Sequence, residues 1–286
     1  MLGKLFKYEW KSTCRVCLLL LAAIGGTTLL GALIFQAPMW KDILGGSGSA
    51  GETLANVVSV LAILLYVLLL VGAFYAAVLY LMVHFYRSTY KSEGYLLHTL
   101  PVKGHQIVFS KIAMGSVWVY LIYIAMMVSV TVFFLAMISA FSGESVFWLL
   151  GHMRDFWAEV SKELRTMFEG LSFNGASWMA LFCFSLILGV PSSLLFLFGA
   201  ISLGQLFAKN RVLMAVVCYA GIMIVRWILT SLSRGVCYAA ASFGRNGDIF
   251  GYLNWSLLFS IVINVLLAVG CYAVSCHVIS RRLNLE

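Results

Sequence analysis

The side chains able to do chemistry are few in this sequence, and their spacing is wrong for catalysis. The five histidines, His84, His98, His105, His152 and His277, have none of the spacings that set two metal ligands and a general base on one helical face, as HExxH does. A metal enzyme would need His84, His98 and His277 to converge from distant segments. Cys14 and Cys17 form a CxxC, but no second pair follows and no thioredoxin-like pattern surrounds it. The run "GGSGSAGET" has the outline of a phosphate loop, yet Glu52 stands where a lysine must reach the β and γ phosphates, and a carboxylate repels them. The chain is therefore expected not to be an enzyme and to hold no cofactor or metal. Two polar residues inside apolar runs, Arg226 in "IMIVRWILT" and Asn264, are the candidate pathway residues. An arginine about fourteen residues into such a run must face protein, line a water-filled path or snorkel to the headgroups. Asn264 and Gln205 suit interhelical hydrogen bonds. No relay of Asp, Glu or His accompanies them, so proton- or sodium-coupled transport lacks its usual intramembrane charges.

The elements that must position these residues follow from composition. The chain has 286 residues, of which 62% are hydrophobic and 10% charged, against about 25% charged in an ordinary soluble domain. Its mean hydropathy is +0.98. Such a chain is expected to live in a bilayer as one all-α, polytopic membrane domain over residues 1–286, with no soluble domain beside it. Six apolar segments are long enough to cross: 16–36, 54–85, 107–141, 177–207, 212–232 and 254–277. Several exceed what a core of about 30 Å requires, so they tilt or project into water. Pro191 lies within the fourth and predicts a kink there.

Lys and Arg set the orientation. Twelve of the 19 basic residues fall in the N-terminal segment, the second and fourth connections and the tail, with the acids Glu9, Glu93 and Glu286. Basic residues are retained in the cytoplasm, which places both termini there, in the cell membrane, as an even number of spans requires. The net charge of +8 is then a topology signal. Its dispersal over segments flanking the spans, with no basic patch interleaved by aromatics, argues against nucleic acid.

Three amphipathic stretches remain. Over 1–15, Lys4, Lys7, Lys11 and Arg15 repeat at helical spacing on one face, while Leu2, Leu5, Phe6 and Trp10 turn the other way. This predicts an interfacial helix whose ammonium groups meet anionic lipid headgroups. Glu9 falls among the apolar side chains, where it is costly without a partner. Residues 142–175 predict an extracytoplasmic amphipathic helix with Leu150, Trp157, Val160, Leu164 and Phe168 along its apolar ridge. The stretch "YRSTYKSEGYLLHTLPVKGHQIVFSK", with its polar loop at 88–106, is the largest cytoplasmic connection. Ser92 serves as an N-cap, Glu93 follows in the first turn, Tyr95, Leu96 and Leu100 form an apolar ridge, and Pro101 with Gly104 ends the helix. Such a helix suits insertion into a groove on a second protein.

"KLFKYEWKST", "FYRSTYKSEGYLLHTLPVKGHQIVFSK" and the six-span layout together resemble the permease subunit of the ABC transporter type-2 family in its Gram-positive bacterial form. The layout covers the whole chain, and the specific motifs about forty residues. The resemblance implies a membrane subunit that pairs with a second permease copy, as a homodimer or related heterodimer. It also implies a separate ABC-type ATP-binding subunit, which binds ATP and Mg. Residues 1–15, with Lys4, Lys7, Glu9, Trp10 and Lys11, become the elbow helix. Glu93, Gly94, Tyr95, Leu96, Leu97, Thr99, Leu100 and Pro101 become the coupling segment. Export of a peptide, drug or lipid-like substrate is the implied activity, and the long outside segment departs from the shortest family members. A membrane sensor or structural protein is the alternative, and a membrane-embedded enzyme a weaker one.

Overall fold

The computed structural model describes residues 2–36, 49–90, 104–142, 151, 154–155, 157–163, 166, 173–207, 210–243 and 249–281. Among them no strand occurs. Six long helices carry the fold: α1 (Leu2–Gln36), α2 (Ser49–Tyr90), α3 (Gly104–Ser142), α4 (Phe173–Gly204), α5 (Arg211–Phe243) and α6 (Ile249–Arg281). Each contains a stretch long and apolar enough to cross a bilayer, and the chain is a multi-pass membrane protein. Hydrocarbon offers no partner to a backbone amide, so the helix satisfies its own. The outward faces agree: Leu64, Leu68, Val217 and Leu266 are exposed, as suits lipid and not water.

The helices overrun the expected apolar spans. The largest C-terminal extension is in α5, which reaches Phe243 where hydropathy alone ends the span at residue 232. The residues beyond, "SRGVCYAAASF", are less apolar but contain no proline, so the helix continues. At the N-terminus, no boundary separates an interfacial helix at 1–15 from a span beginning at 16, because α1 is continuous. No proline or glycine interrupts it between Gly3 and Gly25. Both helices enter the loop expected at 88–106, since α2 runs to Tyr90 and α3 starts at Gly104. Pro191 is carried within α4. Ser192 Oγ donates to the carbonyl of Leu188 at 2.8 Å, and Ser193 Oγ donates to that of Gly189. These hydroxyls bring side-chain donors to the turn in which Pro191 has no N–H.

The helices α4 and α5 are joined through residues 205–207 and Asn210, which adopts the left-handed φ of 57° that asparagine tolerates. Of the segment 142–175, residues 157–163 are helical, with Trp157 exposed and Val160 half-buried.

Two compact units divide the chain. One comprises Met1–Ser12, Leu81–Val117 and Thr166–Glu286; the other Thr13–Tyr80 and Trp118–Arg165. In the first, α4, α5 and α6 pack mutually around Phe196, Ala268 and Cys271. Small residues permit the approach: a Cβ on Gly199 would stand 2.7 Å from that of Cys271, and one on Gly204 2.7 Å from the backbone nitrogen of Ala215. In the second, the rings of Tyr66 and Phe133 stack with centroids 3.9 Å apart. There Ser129 Oγ lies 2.5 Å from Thr28 Oγ1 and 2.6 Å from the Tyr66 hydroxyl. This neutral hydroxyl trio joins α1, α2 and α3 within the unit's core.

Candidate functional site

Two groups of polar residues stand out, both in the first unit. The first gathers the ends of α1, α2 and α3. Glu9 is only 2% exposed and Lys111 5%. Lys111 Nζ donates to Glu9 Oε1 at 2.7 Å and to Ser88 Oγ at 2.6 Å. Ser88 Oγ in turn donates to the carbonyl of His84 at 2.6 Å, and the His84 ring nitrogen Nε2 lies 3.2 Å from Glu9 Oε2. His84 and Ser88 are four residues apart and so share one face of α2. Glu9, His84 and Lys111 each lie about 10 Å along the helix from the end of its apolar span, at 1.5 Å per residue.

Burying a carboxylate and an ammonium costs several kcal/mol per ion, on the order of what their attraction returns. The pair persists because Ser88 Oγ accepts a further hydrogen bond from Lys111 and the His84 ring adds one to Glu9. Its consequence is mechanical: the N-terminal helix is bound to both helix ends that flank residues 91–103. A second polar string continues from the same end of α2. The Tyr90 hydroxyl donates to Ser202 Oγ at 2.8 Å, and Ser202 Oγ lies 3.2 Å from Ser275 Oγ, which connects α2 to α4 and α6. Phe85 stacks on Phe198 at 4.0 Å beside it, and the Tyr272 hydroxyl donates to the carbonyl of His105.

The second group is a cavity of about 210 Å³ among α4, α5 and α6. Arg226 and Asn264, the two pathway candidates, both line it. Ser185, Ser192 and Ser260 add hydroxyls, and Leu188, Leu257, Ile261 and Val265 add apolar surface. The Arg226 guanidinium carbon sits 5.5 Å from the centroid of the Phe196 ring. Asn264 Nδ2 donates to the carbonyl of Ser260 at 2.7 Å, while its buried Oδ1 has no hydrogen-bond partner among the described residues.

The other expected residues fare differently. Lys4, Lys7 and Lys11 are exposed, as the periodicity of α1 requires, and Leu5 is buried. Trp10, expected on the apolar face, is 38% exposed. Glu9 has the partner its setting demands. Glu93, Gly94, Tyr95, Leu96, Leu97, Thr99, Leu100 and Pro101 lie outside the described residues. Sequence reasoning missed the roles of His84, Ser88 and Lys111, counting Lys111 only as a topology charge. A signal was available: Glu9 and Lys111 are opposite charges, Glu9 on the apolar face of an amphipathic stretch and Lys111 in an apolar run, each two turns inside its helix. Among the described residues no three His, Cys, Asp or Glu side chains are grouped as metal ligands. Comparison with protein-family models, curated proteins and solved structures finds no match to this chain.

Proposed function

We propose that this chain is the membrane-spanning permease subunit of an ATP-driven ABC transporter, exporting a peptide, drug or lipid-like substrate. It pairs with a second permease copy and is driven by a separate ATP-binding subunit that grips residues 88–106 from the cytoplasm. The observation that carries this reading is the buried cluster of Glu9, Lys111, Ser88 and His84. A segment that receives a push must be fixed to the elements it moves. The cluster fastens both helix ends flanking residues 91–103 to the N-terminal helix, and Tyr90 extends the linkage to Ser202 on α4. A displacement of the connection is therefore delivered to several spans at once, as rigid-body switching requires. The N-terminal residues of α1 act as the elbow, and the chain itself hydrolyses nothing.

The test begins with purification from its own membrane in mild detergent, which retains a nucleotide-hydrolysing protein on this chain. Tyr95→Asp and Leu96→Asp each abolish the ATP turnover that the permease stimulates in that partner, with the variant still inserted in the membrane. Undiminished turnover in both variants, or the lack of any such partner, overturns the proposal.

A further inference from the structure

Arg226 lies inside the apolar part of α5. Within the apolar stretch Arg211–Ala240 it is about 22 Å from one end and about 21 Å from the other. A charge within a spanning helix is costly unless protein, water or a headgroup answers it. The Phe196 ring offsets part of that cost by cation–π attraction. Guanidinium has five N–H donors in a rigid fork. Among the described residues its one hydrogen-bond acceptor is the Met223 thioether, at 4.0 Å, and no carboxylate lies within ion-pair distance. Among the described residues, the cation therefore stands beside the cavity with no carboxylate to neutralise it. The lining contributes three serine hydroxyls, an acceptor at Asn264 Oδ1 and four aliphatic side chains.

From this combination we infer that the cavity among α4, α5 and α6 binds an amphiphile bearing an oxyanion, with an adjacent N–H or O–H donor and an apolar tail. The oxyanion pairs with the planar fork of Arg226, the geometry that recognises carboxylate or phosphate bidentately. The donor answers Asn264 Oδ1, and the serines supply further hydrogen bonds. Leu188, Leu257, Ile261 and Val265 accept the tail. Binding here is independent of the transport reading, since it needs neither nucleotide nor a second subunit.

Four probes remove one feature at a time: N-dodecanoylglycine has all three, dodecanoate lacks the amide N–H, dodecanol lacks the charge, and N-acetylglycine lacks the tail. Equilibrium binding of each to the purified full-length chain is measured in a neutral maltoside detergent. N-dodecanoylglycine binds saturably and most tightly, dodecanoate follows, and the other two bind at least about tenfold more weakly, in line with the loss of a charged hydrogen bond. Arg226→Gln removes the preference for the anions over dodecanol. Gly189→Leu is a second variant that keeps the charge: a Cβ there meets nothing within 4 Å, and the larger side chain occupies the cavity it lines. It weakens N-dodecanoylglycine at least about tenfold with folding intact, since leucine is a better helix former than glycine. Equal binding of dodecanol and the anions, or binding unchanged in both variants, is micelle partitioning and overturns the inference. So does the failure of all four probes to bind, the outcome expected if a carboxylate from a second copy of the chain occupies Arg226.

Discussion

Lys111 and Arg226 are both cations within apolar helices, and the protein treats them in opposite ways. Lys111 is almost wholly buried, with a carboxylate at 2.7 Å and a hydroxyl at 2.6 Å. Arg226 is half-buried, with an aromatic face, a thioether and a cavity for neighbours. A charge satisfied on all sides holds elements together. A charge left with unused donors is poised toward something outside the chain. The contrast separates a structural fastening from a binding site inside a single compact unit.

The strongest way to break this comparison is to remove each cation in turn and measure reversible unfolding in mixed micelles. Lys111→Met leaves Glu9 buried without its ammonium and lowers stability by about 3–5 kcal/mol. The double variant Glu9→Leu/Lys111→Met restores most of that loss, because an apolar pair of similar volume needs no desolvation. Arg226→Gln, by contrast, stays within about 1 kcal/mol of the parent or exceeds it, the usual signature of a residue kept for function. A loss at Arg226 as large as that at Lys111 would make both sites structural.

Glycines sharpen the same distinction at a smaller scale. Gly199→Val drives a side chain into Cys271, where the packing is closed, and costs about 1–3 kcal/mol. Gly189→Leu, at the open cavity, leaves the unfolding midpoint unlowered in the same measurement. Smallest is the effect in the second unit, where the hydroxyl trio is neutral. Ser129→Ala separates Thr28 from Tyr66 and costs about 1 kcal/mol, near the average for interhelical hydrogen bonds in membranes. A cost there matching that of Lys111→Met would show that charge is not what makes the first cluster strong.

Much of the fold was legible in the residue order. Apolar runs of the required length mark, among the described residues, six helices able to cross a bilayer, because hydrocarbon leaves the backbone no alternative. Their ends were less legible: hydropathy reports where lipid stops, whereas a helix runs on until a breaker or a turn intervenes, as after Gly204. Glu9 was marked as needing a partner by its place among apolar side chains. Its partners were not legible, since His84 and Lys111 lie 75 and 102 residues away. Arg226 and Asn264 were each singled out by polarity in an apolar run, but nothing in their spacing assigns them to one cavity.

The sequence by itself determined the solvent, the helical class and which polar residues would be expensive, because each follows from local composition and a fixed rise per residue. Only tertiary structure decided which of those expenses are offset. That outcome depends on the rotation and contact of helices distant in the chain, which joined Glu9 to Lys111 and set Arg226 beside Asn264 with, among the described residues, no carboxylate to neutralise it.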